Sequence, residues 1–395
     1  MSQQESYHEV EFSIVDGGPL DKGLNRVGLN KPGAKFLGIR LAALMVITWL
    51  PLLILSAKAG LLLDDKVQIP FLHDFAVHTR LLLAMPLLVA AETVIAPRLG
   101  VVIRHFFTSG LIIEKDLPEF REAIADALSW KESYIAELVI LTIVVVLNVR
   151  HFGVVSISDI NSWHEIKSAG VMELTAAGWW YYCVSAPIFQ LFLYRWLWRF
   201  VIWSNLLRCI AKLELQLFPT HPDHAGGLSF LGLGQAKFAV IIMASSSVMA
   251  ASIANRVLYG AESLVSFKFM MAMFVVMNIV IFLGPLMVFT PKLAALKRKG
   301  LLEYGTLATT YVRSFDQKWL RDNNEQNEPL LGTGDIQSLA DLSTSIENIG
   351  NMTIFPFNKG IVKSLVVAAS LPFLPLVATI IPLKDLLGQI TAILL

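Results

Sequence analysis

The chain has 395 residues, of which 55% are hydrophobic and 16% are charged, and its formal net charge is +1 at pH 7. Together with a mean hydropathy of +0.61, this composition is abnormal for a soluble fold and typical of a bundle of membrane helices. Only two cysteines are present, Cys183 and Cys209, so no disulfide framework is expected. The net charge says little about partners, and we expect the lipid bilayer but no nucleic acid among them.

Seven long apolar runs predict an all-α, polytopic transmembrane bundle. Most are close to the roughly 20 residues that a helix needs to cross about 30 Å of hydrocarbon. They divide the chain into an N-terminal segment 1–35, six spans with helical extensions at 36–290, a helical loop at 291–362, and a proline-rich last span with a surface helix at 363–395. The predicted runs are 36–57, 80–97, 134–148, 178–194, 238–254, 269–290 and 364–382.

The basic residues predict an orientation, because the loops between the runs alternate between high and low Lys and Arg content. Of the 32 Lys and Arg residues, 23 fall on the side of the N-terminus, 8 fall on the other side, and Arg40 lies inside the first run. Cytoplasmic loops carry the excess of basic residues in membrane proteins. We therefore predict that the N-terminus and the loop 291–362 are cytoplasmic and that the C-terminus is outside.

Helical periodicity continues past the membrane on the predicted cytoplasmic side. A single helix is expected over 172–218, where Arg195 and Arg199 are four residues apart among aromatic side chains. This pattern is typical of snorkelling arginines in an interfacial belt. The Gly284-Pro285 pair predicts a kink in the sixth run.

Shorter helices are expected around these spans. An amphipathic helix starts near Asp116 and leads into the third run, with an apolar face formed by every fourth residue. In the cytoplasmic loop, a polar stretch separates a basic helical extension from a second helix, and Pro382 precedes a helix on the outer surface. These segments are 292–321, 322–328, 335–349 and 383–394.

The densest polar motif lies at 218–230 and contains His221, Asp223 and His224, followed by the pair Gly226 and Gly227. Histidine and carboxylate side chains are common metal ligands, and adjacent glycines let the backbone approach an ion or a phosphate closely. The same residues also suit a turn between two helices. Three interpretations stay open: a structural connector, a gate or ligand contact, and a metal site.

Among the polar residues inside the apolar runs, we single out Glu92 in the second and Asn278 in the sixth. Such residues are costly in a bilayer, so they usually face the bundle interior or water. Glu92 is expected either to pair with a neighbouring helix, for example with Lys237 at the foot of the fifth run, or to lie on a permeation or proton path. On the predicted outer side, four histidines accompany the acidic residues Asp74, Asp159 and Glu165. Such a group could sense pH or bind a cation, although its members are irregularly spaced. The histidines are His73, His78, His151 and His164.

Five stretches resemble a family of uncharacterised bacterial multi-pass membrane proteins. The resemblance covers roughly the last 220 residues and implies a bacterial inner-membrane location, but it implies no activity and no site. The stretches are 178–182 (GWWYY), 190–203, 220–228 (THPDHAGGL), 334–341 (GDIQSLAD) and 371–376 (LPFLPL).

The sequence contains no nucleotide-binding loop, zinc-protease motif or haem-attachment site, so we predict no cofactor and do not expect an enzyme. The leading hypothesis is permeation or transport of a small solute or ion by a protein that forms homo-oligomers. The main alternative is a signalling or assembly scaffold that docks partners on its cytoplasmic helices. A membrane-embedded enzyme is the third.

Overall fold

The structure is a computed structural model that describes residues 12–15, 17, 34–63, 66–153, 161–168, 171–321 and 334–377. The predicted polar stretch 322–328 and the surface helix 383–394 after Pro382 lie outside the described residues.

The described part of the chain is mostly helical, with a single antiparallel pair of short strands. Five of its helices are long and apolar enough to cross a membrane, or six if the bent pair at 114–149 counts as one span. The elements are α1 (Phe36–Lys58), α2 (Phe75–Thr108), α3 (Leu117–Lys131), α4 (Tyr134–Gly153), β1 (Glu165–Ser168), β2 (Val171–Leu174), α5 (176–210), α6 (Phe230–Tyr259), α7 (Leu264–Arg321), α8 (Gly334–Asn351) and α9 (Lys359–Val377).

The fourth predicted span differs most from expectation. Met172 lies in β2, and α5 begins only after Thr175, whose side chain accepts a hydrogen bond from Gly178 N as an N-cap. The helix ends at Ile210, and Leu215 pairs with Ile112 in an isolated β-bridge. The prediction of one helix over 172–218 was therefore wrong at both ends. Nor is α5 among the membrane-length apolar helices, because its tryptophans, tyrosines and arginines lower its mean hydropathy.

Helix α5 lies at the centre of the bundle and packs against α2, α3, α4 and α7. Its tryptophans Trp196 and Trp203 are almost fully buried. The core also contains Phe12 and Ile14 from the N-terminal segment, which are 5% and 1% exposed. The polar character of that segment concealed a short apolar piece that inserts among the helices.

Several other predicted helices are confirmed. α3 buries Phe120 and Ile124 on one face, and two residues separate its end from the start of α4. α7 continues as a helix to Arg321, with a 3-10 segment at Gly284–Phe289 where the kink was expected. α8 packs against α7. The end of the bundle that carries β1 and β2 is called the strand end below, and the opposite end is called the loop end.

Candidate functional site

Glu92 lies in a buried ion cluster near the middle of α2. Its Oε2 accepts a hydrogen bond of 2.6 Å from Arg40 Nη1, and its Oε1 accepts one of 2.8 Å from Arg199 Nη1. Arg199 Nη2 also donates to the backbone oxygen of Val15 at 3.4 Å. The expected pair with Lys237 was wrong, because Lys237 is exposed. Two arginines from helices that are distant in sequence take its place.

Arg195 and Arg199 are buried rather than snorkelling, with exposed fractions of 7% and 4%. Helices surround α5, so this face contacts protein where the sequence pattern suggested an interface with water. Arg195 Nη2 lies 4.0 Å from Glu137 on α4. Charges held this deep are retained only with partners, so the cluster ties α1, α2, α4 and α5 together.

Asn278 is buried, with an exposed fraction of 7%, and its side-chain amide donates to Phe274 O in its own helix at 2.8 Å. This bond satisfies one donor locally. Asn278 and Glu92 therefore lie in different surroundings, and the structure does not bring them into one site.

The loop at 218–229 is organised around the carboxylate of Asp223. Its oxygens accept hydrogen bonds from the backbone N–H groups of Ala225, Gly227 and Ser229 at 2.9, 3.0 and 3.0 Å, and His221 Nδ1 lies 2.8 Å from Oδ1. Burial works to raise the pKa of Asp223, but these donors outweigh it and lower the pKa below its usual range. The carboxylate replaces the missing backbone partners of a tight turn.

The glycine pair in this loop needs its conformational freedom. Gly226 and Gly227 have φ of +64° and +97°, and His224 also has a positive φ of +53°. Thr353 N donates to His224 O at 2.7 Å, so the turn is attached to the segment after α8.

Nowhere in the described residues do three or more His, Cys, Asp and Glu side chains form a group that could hold a metal ion.

The strand end contains a polar cavity that the sequence analysis did not identify. Its volume is about 390 Å³, and it lies between α2, α4, α5 and α6. Two π-helical segments border it, Thr79–Ala84 in α2 and Tyr181–Ser185 in α5. Such segments are rare and frequently mark functional sites. The polar lining residues are Asp74, Arg80, Asn148, His164, Tyr181, Tyr182, Gln190 and Asn255.

Asp74 stabilises one wall of this cavity and is saturated with donors. Its Oδ1 accepts from Val77 N at 3.1 Å and Asn255 Nδ2 at 2.7 Å, and its Oδ2 accepts from Trp163 Nε1 at 2.8 Å. The carboxylate caps α2 and joins it to α6 and to the loop before β1. These three hydrogen bonds fit a structural role for Asp74 in the cavity wall.

Arg80 brings a positive charge to the cavity. Its Nη1 donates to the hydroxyl of Tyr181, and its guanidinium lies 5.9 Å from the centre of the Tyr181 ring and 5.8 Å from that of Phe189. Arg80 and Tyr181 each belong to one of the two π-helical segments. The two segments therefore meet at the contact between Arg80 and Tyr181.

Part of this site was within reach of the sequence. Asp74 and His164 were noted among the acidic and histidine residues of the predicted outer side, and both line the cavity. In the sequence, Arg80 stands out only as the first residue of the apolar run 80–97. The π-helical segments that place these side chains leave no sequence signal comparable to a helix cap. No protein-family model, curated protein or solved structure matches the chain.

Proposed function

We propose that the chain is an integral membrane protein that moves a small solute or ion across the bilayer. The observation that supports this most directly is the cavity of about 390 Å³ with charged and polar walls inside a bundle of membrane-length helices. Ligand sites commonly lie between the helices of a bundle and have volumes of about 300–1,000 Å³. A bundle without a ligand would gain more stability by filling this space with apolar side chains.

The arrangement along α5 supports a closed path between the two ends. Gln190 lines the cavity, Phe192 and Trp196 follow it in α5 and are buried, and Arg199 belongs to the ion cluster around Glu92. A solute in the cavity would be separated from the loop end by these packed aromatic rings. We propose that transport alternates between this state and one in which the rings separate.

The proposal extends to topology and location. The distribution of basic residues supports seven spans, with α5 included, a cytoplasmic loop end and an external cavity. The resemblance noted above supports a bacterial inner membrane. We propose a homo-oligomer that works without a cofactor and without the chemistry of an enzyme.

The first test asks whether water fills the cavity. In a chain with both native cysteines replaced by serine, Ala186→Cys places a thiol in the cavity wall and Ala244→Cys places one in the packed core, where Ala186 and Ala244 are 4% and 1% exposed. A charged thiol reagent added outside intact cells is expected to label only Ala186→Cys. A cavity that the reagent cannot reach would contradict the proposal.

The second test measures movement of solutes. Purified protein in proteoliposomes, supplied with a panel of small ions, acids, amines and sugars, is expected to produce a solute-dependent transient current. Arg80→Gln is expected to abolish that current while the protein stays folded. A current that is equal in empty liposomes, or unchanged in Arg80→Gln, would contradict a role for the cavity in transport.

A scaffold is the second candidate, because the hairpin of α7 and α8 exposes apolar side chains. Leu302 and Leu320 are 74% and 73% exposed. A photo-crosslinking residue at position 302 that captures the same protein in repeated preparations, with no adduct from position 303, which is exposed on a neighbouring face of the helix, would favour this candidate.

A further inference from the structure

The guanidinium of Arg80 forms no ion pair within contact distance in the described part of the chain. It donates to the Tyr181 hydroxyl and lies near two aromatic rings, and no Asp or Glu among the described residues forms an ion pair with it. Asp74 lines the same cavity and attracts Arg80 electrostatically, but the hydrogen bonds that its oxygens accept come from three other donors. A guanidinium has five N–H donors, and the Tyr181 hydroxyl takes one of those of Arg80. The cavity therefore offers a place for an anionic group.

A second polar group in the cavity lacks a partner, and it is an acceptor. Asn148 is 5% exposed, and its Nδ2 donates to Val144 O and to Gln190 Oε1, each at 2.7 Å. Its Oδ1 is buried and has no hydrogen-bond partner among the described residues. The Val144 carbonyl can only accept, which places the amide nitrogen on that side and leaves the oxygen on the other. A buried acceptor of this kind requires a donor from a ligand or from water.

Gln190 adds a donor to the same wall. Because its Oε1 receives the Asn148 amide, its amide nitrogen is left to donate elsewhere. Besides Asp74, whose oxygens accept three hydrogen bonds from the protein, the cavity has a positive charge at Arg80, a neutral donor at Gln190 and an unpaired acceptor at Asn148. This set complements a ligand that has a negative group together with a donor group.

We propose that the cavity binds a small organic acid that carries a hydrogen-bond donor on its carbon chain, such as a hydroxy- or amino-carboxylate. The carboxylate lies at Arg80, with Gln190 supporting it, and the hydroxyl or amino group donates to Asn148 Oδ1. The volume of about 390 Å³ suits such a molecule and excludes large ones. This inference rests on the proposed function, since it names the solute class of the same cavity.

Three acids of equal length test the carboxylate contact at Arg80 and the donor contact at Asn148 separately. Propionate, lactate and alanine differ only at one position, which carries hydrogen, hydroxyl or ammonium. Binding to purified protein in lipid nanodiscs is measured by titration calorimetry. Lactate or alanine is expected to bind about tenfold more tightly than propionate, because propionate leaves the Asn148 oxygen unpaired.

Two variants assign the contacts. Asn148→Leu is expected to reduce the tenfold preference to about one without abolishing propionate binding. Arg80→Gln is expected to weaken all three acids at least about tenfold, while Arg256→Gln, an exposed arginine near the same end that pairs with Glu262, leaves binding unchanged. Should Asn148→Leu fail to fold, Gln190→Leu serves in its place and is expected to weaken the carboxylate contact of all three acids.

The inference would be overturned if neither lactate nor alanine binds the wild type more tightly than propionate, or if none of the three binds. In that case labelling of Ala186→Cys still decides the proposed function. A labelled cavity without acid binding leaves transport of another solute in place, whereas an unlabelled cavity removes both proposals.

Discussion

Arg199 and Glu92 form an ion pair of 2.8 Å inside the bundle, with side-chain exposed fractions of 5% and 7%. Arg40 reaches the other carboxylate oxygen of Glu92 at 2.6 Å. A single carboxylate thus neutralises part of the charge of two buried arginines. Its removal leaves both without their shared partner.

Glu92→Gln is therefore expected to destabilise the protein by about 3–5 kcal/mol, the usual cost of breaking a buried pair. The matched control is Glu262→Gln, whose partner Arg256 is 58% exposed at its side chain, and which is expected to cost less than about 1 kcal/mol. Chemical unfolding of both variants in detergent provides the measurement. Equal stability of the two variants would mean that water reaches the cluster.

The Gly226–Gly227 turn predicts a position-dependent effect of one substitution. Gly227 has φ of +97°, which a β-branched residue resists, so Gly227→Val is expected to cost about 1–3 kcal/mol. Gly305 lies within α7 with nothing within 4 Å of an added Cβ atom, and Gly305→Val is expected to be nearly neutral because glycine is a poorer helix former than valine. Thermal unfolding compares them. A neutral Gly227→Val would show that the loop can adopt another conformation.

The lowered pKa of Asp223 makes the loop sensitive to acid. A depressed folded-state pKa adds stability that is complete above the ordinary aspartate pKa of about 4 and is lost as the pH falls through the folded value. Exchange protection of the Ala225, Gly227 and Ser229 amides, corrected for intrinsic rates, is expected to fall as the pH is lowered in this range. In Asp223→Asn the protection is expected to be low at every pH. Equal protection in both proteins would exclude the carboxylate as the organiser of the turn.

Gly178 packs closely against the backbone of His164, which lines the cavity. A Cβ atom at this position would lie 2.1 Å from His164 O, so Gly178→Ala must push the loop before β1 away from α5. We expect lower thermal stability and faster thiol labelling of Ala186→Cys in this background. Gly38→Ala, where an added Cβ meets nothing within 4 Å, is the control. Unchanged labelling would show that the loop does not cover the cavity.

The two ends of the bundle are expected to face opposite sides of the membrane. Glu173 in β2 and His221 in the loop at 218–229 are both accessible, and each is replaced by cysteine in a chain without native cysteines. An impermeant reagent added to intact cells is expected to label Glu173→Cys alone. It should label His221→Cys only after the cells are opened. Labelling of both from outside would contradict an odd number of spans between them.

The sequence by itself determined the helical character of the chain and the position of most membrane-length helices. Hydropathy and helix caps are properties of neighbouring residues, so α1, α2, α6 and α7 were located from composition alone. The turn at Gly226 and Gly227 was also within reach, because only a few residue types tolerate a positive φ.

Only the tertiary structure decided which helices meet and what lies between them. Helical periodicity shows that Arg195 and Arg199 share a face, but it does not say whether that face meets water, lipid or another helix. The partners of Glu92 are 52 and 107 residues away in the sequence. The sequence pattern did not identify them and suggested Lys237 instead. The cavity forms where four helices and two π-helical segments pack together. Whether Arg80 can bind a ligand depends on the residues around it, which only the packing brings together.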